Sequence, residues 1–135
     1  MKNMRFLFIS SILISGIMVL AACNQQPKGS QVAEGEDVSV YYFHTNARCV
    51  TCLTIEEEAK KDVSELFGNK VVFASYNLDE KEGLEKGKGL GVNSQMLIIV
   101  KGEQKINITN EGFLYARTNP EKFRKIIEEN IKSLL

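Results

Sequence analysis

Histidine is nearly missing from this sequence: His44 stands alone among 135 residues, beside three cysteines, two prolines and no tryptophan. A closed structural zinc site generally takes four protein ligands. His44 and so few thiols fall short of that set, so such a site within one monomer needs a carboxylate or a second chain. Charge of one sign is also lacking, since 17 Lys and Arg balance 17 Asp and Glu. No basic patch with interleaved aromatics marks a nucleic-acid surface, and no internal repeat is visible. The segment "GLEKGKGLG" has glycines and lysines but not the strand, spacing and Ser/Thr of a phosphate loop. No organic cofactor is implied.

A long uninterrupted hydrophobic run is absent as well. Lys2 and Arg5 form a basic head, and the apolar stretch from Phe6 to Leu20 is broken by Ser10, Ser15 and Gly16. That is too short and interrupted for a comfortable membrane span, and it has the pattern of an export signal. It ends in Leu20-Ala21-Ala22-Cys23, which resembles the lipobox of bacterial lipoproteins, where the peptide is cut before the cysteine and the thiol is acylated, here with palmitate as the expected lipid. The alternative is an ordinary secretory signal with a spare thiol at Cys23. On the lipoprotein reading, residues 1–22 are the leader and 23–37 are the lipidated Cys23 with a polar stalk containing Pro27, Gly29 and Gly35. Residues 38–135 are then the domain. The chain is expected in the cell envelope, lipid-anchored and facing the periplasm or exterior, where disulfides persist. Loss of Lys2 and Arg5 takes the 17 bases to 15 against 17 acids, and leaves Cys49 and Cys52 as the working thiols.

Within the domain, "VSVYYF" (Val38 to Phe43) is β-branched and aromatic and reads as a strand. Ile55, Ala59, Val63 and Leu66 recur at helical spacing until Gly68-Asn69 stops them. A second strand follows from Val71 to Asn77. "EKEGLEKGKGLG" is at most a short, weak helix, because each interior Gly costs roughly 1 kcal/mol relative to Ala. "QMLIIVKGEQKINIT" reads as a hairpin turning at Gly102, with Ile106 and Ile108 alternating in its second strand; the sequon Asn107-Ile108-Thr109 is then part of that strand. Asn119-Pro120 supplies a cap and first-turn proline for a last helix with Phe123, Ile127, Ile131 and Leu134 on one face. The expected architecture is α/β, with the order β-α-β-α-β-β-α and a mixed sheet carrying helices.

The chemistry concentrates in "FHTNARCVTC". On a helix, residues three apart lie on one side about 5–6 Å from each other, within the Cα separation of about 4.4–6.8 Å that a disulfide requires. With Cys49 at the N-cap and Cys52 at the third helical position, the first sulfur faces the free amides of the opening turn. Those amides, the helix dipole and Arg48 favour a thiolate. Cys49 is then the attacking sulfur and Cys52 the resolving one. A rival start exists, since Thr54-x-x-Glu57 spells a capping box that leaves both cysteines in a loop.

Motif and element order together resemble the thioredoxin fold over Val38 to Leu135, which implies a central mixed four-stranded sheet flanked by helices. More narrowly, "YYFHTNARCVTCLTIEEEAKKDV", "VNSQMLIIV" and "FRKIIEENIKSLL" are similar to small thioredoxin-like proteins labelled ArsF family, named as subunits of nitrophenyl-compound nitroreduction. The departures are specific. Thioredoxins carry Trp before the first cysteine, where this chain has Arg48. They carry a buried acid six residues before it, where this chain has Phe43. They carry a cis-proline before the third strand, where this chain has Ser94-Gln95-Met96.

The resulting expectation is a membrane-anchored thiol–disulfide oxidoreductase with Cys49 and Cys52 as catalytic residues. Arg48, His44, Glu56 and Gln95 support them, and there is no cofactor and no resident metal. Its partners are protein thiols and disulfides or a partner reductase, and the membrane through the lipid on Cys23. Blander readings stand beside this one. The cysteines can be a static disulfide or core residues, His44 and Arg48 solvated side chains, and Glu56 to Glu58 a wet helix face, of which Glu56 is the member placed for proton transfer. The alternative function is a dithiol that binds a soft metal or arsenite, or relays electrons, without turnover of its own.

Overall fold

The computed structural model describes residues 37–135. The leader, Cys23 and the stalk up to residue 36 lie outside the described residues. Nine elements follow one another: β1 (Ser39–His44), α1 (Val50–Phe67) with a 3-10 turn at Gly68–Lys70, β2 (Val72–Asn77), α2 (Lys81–Leu90), β3 (Met96–Lys101), β4 (Gln104–Asn107), α3 (Thr109–Tyr115) and α4 (Pro120–Lys132). The strands form one sheet in the order β2-β1-β3-β4. β1 runs parallel to β2 and antiparallel to β3, and β3 is antiparallel to β4. The mixed sheet and the alternation of the first elements agree with the sequence expectation.

Period-two alternation along β1 sorts the two sides of the sheet. Val38, Val40 and Tyr42 face one way with Leu97 and Ile99, and there they meet Ile55, Ala59 and Val63 of α1 and Phe123, Ile127 and Ile131 of α4. Phe43 faces the other way, in a smaller cluster with Ile98, Val100 and Val92 beside Leu78 and Leu90. Full burial of each large apolar side chain contributes about 1.5–3 kcal/mol, so the α1/α4 face is the main store of stability. Helix α4 begins as its sequence indicates, with Asn119 Oδ1 accepting from the amide of Lys122 at 3.1 Å and Pro120 in the first turn.

Two elements differ from the sequence reading. The glycine-rich segment is a full ten-residue helix. Two of its three interior glycines face inward, where a Cβ on Gly83 would sit 2.0 Å from the carbonyl oxygen of Asn77 and one on Gly87 2.8 Å from that of Val92. Missing side chains here permit close approach, which offsets their helix cost. The second difference is α3, which the expected order omits. The β4 strand stops at Asn107, and Ile108 is not its next alternating residue but the buried residue before a helix. Asn107 Oδ1 accepts from the amide of Thr109 at 2.9 Å, and Thr109 Oγ1 accepts from the amide of Leu97 at 2.9 Å. Those bonds turn the chain out of the sheet, so the sequon straddles a strand-to-helix corner. Ile108, Gly112 and Ala116 then pack inward, and a Cβ on Gly112 would press on Ile55 at 3.2 Å.

One charged residue lies deep between α1 and α4. Asp62 is 2% exposed, and its Oδ1 accepts from Arg124 Nη1 at 2.8 Å while Oδ2 has no partner. Burial pushes the Asp62 carboxyl above its usual range, against the pull of the Arg124 hydrogen bond and charge. Arg124, which also bonds Glu65, is held more firmly charged. Both shift upward for different reasons: burial outweighs the ion pair at Asp62, whereas at Arg124 the hydrogen bonds to Asp62 and Glu65 outweigh desolvation.

Two measurements follow. In urea denaturation, Gly83→Ala is expected to lose about 1–3 kcal/mol or more through overpacking, whereas Gly89→Ala, which meets open space in the same helix, gains up to about 1 kcal/mol; equal effects would contradict the close approach. For Asp62, a raised folded pKa means the folded state holds the proton more tightly than the unfolded chain. Its contribution is therefore present below the unfolded value and fades as pH rises through the folded one. Thermal midpoints of the wild type should fall relative to Asp62→Asn across that window, and a pH-independent difference would count against it.

Candidate functional site

The site forms where β1 ends and α1 begins. Cys49 adopts an extended conformation (φ −90°, ψ 164°) and is the N-cap residue, and its sulfur accepts from the amide of Cys52 at 3.2 Å. Helix α1 starts at Val50, so the capping-box alternative does not set its start. Thr54 instead bonds back to the carbonyl of Val50 at 3.0 Å from inside the helix. Cys49 and Cys52 are joined in a disulfide with Cα atoms 5.1 Å apart. Cys49 is exposed, while Cys52 is 5% exposed. An exposed sulfur held by first-turn amides can attack, and a buried neighbour within bonding distance can displace what it has captured.

The loop that delivers Cys49 is fastened from below. The amide of Asn46 donates to Asp79 Oδ2 at 2.7 Å, and Asn77 Nδ2 donates to Asn46 Oδ1 at 2.8 Å. The amide of Leu78 reaches the carbonyl of His44 at 2.7 Å. These contacts tie the β1–α1 loop to the β2–α2 turn.

Each supporting residue named from sequence has a definite place. Arg48 turns inward and pairs with Glu56, with its guanidinium carbon 6.0 Å from the Tyr42 ring centre and its buried Nε unpartnered. Burial by itself would raise the Glu56 carboxyl, but hydrogen bonds from Arg48 and Ser75 and the charges of Arg48 and His44 outweigh it and hold the group below the usual carboxylate range. His44 Nδ1 lies 3.0 Å from the carbonyl of Thr45, and its ring centroid is 6.1 Å from that of Tyr42. Neither Arg48 nor His44 is hydrogen-bonded to a sulfur. Gln95 is, in effect, the far wall: its Oε1 is 3.5 Å from the sulfur of Cys52, and its Nε2 donates to the hydroxyl of Tyr42 at 2.5 Å. The β1–β3 register brings it there, because Met96 pairs with Phe43 and the residue before it reaches the end of β1.

Two residues were not singled out in the sequence. The side chain facing Cys52 from β1 is Tyr42, fully buried, whose hydroxyl donates to the carbonyl of Cys52 at 3.0 Å. Counting six residues back from Cys49 points instead to Phe43, which lies on the opposite face of the sheet. Burial raises the Tyr42 hydroxyl pKa, offset only in part by Gln95 and Arg48. The second residue is Arg117, just beyond α3, whose Nη1 reaches Thr51 Oγ1 at 3.4 Å. It brings a cation to the pair of residues between the cysteines, which carry no charge of their own. Among the described residues, no three His, Cys, Asp or Glu side chains gather where they could hold a metal ion, and no helix is long and apolar enough to cross a membrane.

No family model matches the sequence, and curated proteins yield no sequence match. Solved structures do match. A thioredoxin of Malassezia sympodialis superposes with a TM-score of 0.50 at 23% identity, covering 73% of this chain and 79% of that one. The J-Trx1 fragment of ERdj5 superposes with a TM-score of 0.51 at 16% identity, over 73% of this chain and 43% of that one. The fold is thioredoxin-like.

The Arg48–Glu56 pairing sets a test of the site's electrostatics. Glu56→Gln removes an anion and leaves the Arg48 charge uncompensated one residue from Cys49. The Cys49 thiol, followed by ultraviolet thiolate absorbance against pH, should ionise at lower pH, and alkylation in mildly acidic buffer should speed up severalfold. An unchanged titration would mean that the helix amides alone govern this thiol.

Proposed function

We propose that this chain is a thiol–disulfide exchange protein, held at a membrane by lipid on Cys23 and acting in the cell envelope. The observation that carries the exchange reading is an exposed Cys49 sulfur capping α1, with a buried Cys52 already in disulfide contact. In the reducing direction the Cys49 thiolate attacks one sulfur of a substrate disulfide. A Cys49–substrate bond forms, and the first substrate sulfur leaves as a thiolate. Cys52 then attacks Cys49, the second substrate sulfur leaves, and the protein keeps the Cys49–Cys52 disulfide. Two electrons have passed to the substrate, and the reverse sequence oxidises a dithiol.

The substrates on this reading are protein thiols and disulfides, or a partner reductase that recharges the pair. The narrower likeness to the ArsF family favours a reductase partner. The tether is supported by the basic head, the interrupted apolar run and Leu20-Ala21-Ala22-Cys23, and a palmitate label on the full chain that vanishes in Cys23→Ser is the expected result. The exchange reading is tested by insulin reduction with dithiothreitol and by reoxidation of reduced ribonuclease. The wild type should accelerate one or both, Cys49→Ser neither, and Cys52→Ser should accumulate mixed disulfides. Stoichiometric retention of arsenite by the reduced protein, with no exchange in either assay, would replace this reading with a binding module.

A further inference from the structure

Three polar groups around Cys52 form a closed circuit whose directions can be assigned. Tyr42 has one hydroxyl proton, and it is spent on the carbonyl of Cys52 at 3.0 Å. Toward Gln95 the same oxygen can only accept, so the group facing it must be the amide nitrogen Nε2, at 2.5 Å. The carbonyl oxygen Oε1 is thereby turned toward the Cys52 sulfur, 3.5 Å away. In the disulfide that sulfur has no proton to give. Once the bond opens, a thiol there can donate to Oε1, whereas a thiolate would face the oxygen's lone pairs.

We propose that Gln95, locked in one orientation by Tyr42, is a positioning residue that keeps Cys52 protonated, so exchange pauses at the mixed disulfide until an external base takes that proton. The proposal rests on the exchange reading above and adds its slow step. The proton of Cys52 goes to hydroxide or a buffer base. The resulting thiolate attacks Cys49, the Cys49–Cys52 bond forms, and the Cys49–substrate bond breaks with its electron pair leaving on the substrate sulfur.

The charged and titratable neighbours offer no ready substitute for that base. From β1, Tyr42 has a raised pKa and its proton is already committed, and His44 bonds Thr45. From α1, Glu56 is paired with Arg48 from the preceding loop and held below the usual carboxylate range. From the segment after α3, Arg117 contributes a cation at Thr51. A substrate caught on Cys49 therefore stays attached longer at acidic pH.

The experiment uses the full chain carrying Cys23→Ser, reduced and mixed with the aromatic disulfide dithiobis(nitrobenzoate), whose coloured thiolate reports each step. Attack by Cys49 releases one equivalent, and displacement by Cys52 releases the second. The second phase of the wild type should be slow and rise about tenfold per pH unit between about pH 6 and about pH 8. In Gln95→Ala, and in Tyr42→Phe where the amide is free to turn its nitrogen to the sulfur, the ratio of second to first phase near neutrality should increase about threefold to tenfold. A pH-independent second phase, or a ratio unchanged or lowered in both variants, overturns the proposal. Release of a single equivalent at every pH would defeat the exchange reading itself, a result distinct from a fast second phase.

Discussion

The bond from the Cys52 amide to the Cys49 sulfur is where structure and chemistry meet. A helix leaves its first amides without internal partners, and a serine or aspartate commonly accepts from one of them. Here a sulfur takes that place. The hydrogen bond that begins α1 is therefore also the one that steadies negative charge on the exposed thiol, and it strengthens when that thiol ionises. Every pKa unit so gained is about 1.36 kcal/mol of preference for the reactive form. Removing the sulfur disarms the site and uncaps the helix in one change.

Around this bond the molecule separates its two sulfurs into unlike surroundings. Cys49 is exposed, and its sulfur accepts from the Cys52 amide in the opening turn of α1. Cys52 is enclosed by a tyrosine, an amide side chain and the helix itself. Arg48 and Glu56 neutralise one another beside the site, so neither acts as a bare charge on the thiols. On the proposed exchange reading, this asymmetry gives each sulfur a separate task, attack for Cys49 and resolution for Cys52.

Much of this was legible in the sequence because it depends on local rules. The spacing of Cys49 and Cys52 after a β-branched strand and before a helical apolar repeat placed them at a helix start, and Asn119-Pro120 marked α4 equally well. What escaped depends on contacts between distant segments. Tyr42 and Phe43 are neighbours on opposite faces of a strand, so a one-residue difference in the following loop exchanges their roles. The glycines of α2 lower its helical signal in the sequence, while the value of Gly83 and Gly87 lies in the carbonyls of Asn77 and Val92 that they approach. Helix α3 is masked because Ile106 and Ile108 imitate strand alternation, while the spacing of Ile108, Gly112 and Ala116 carries the helical signal. Gln95 drew attention only as the residue standing where thioredoxins have proline; its partners required the β1–β3 register.

The Asn46 anchorage reaches further than the loop it fastens. The β1 end and the middle of the β1–α1 connection are tied to β2 and its turn through His44 and Asn46, and the cysteine Cα atoms sit 5.1 Å apart, a spacing that an intact helix supplies with or without a covalent link. Gaining or losing two electrons at this pair then calls for little backbone movement. On the proposed exchange reading, a docking partner would meet the same contour in either state and would have to tell charged from spent by the sulfur itself, with release driven by broken covalency and not by a change of shape.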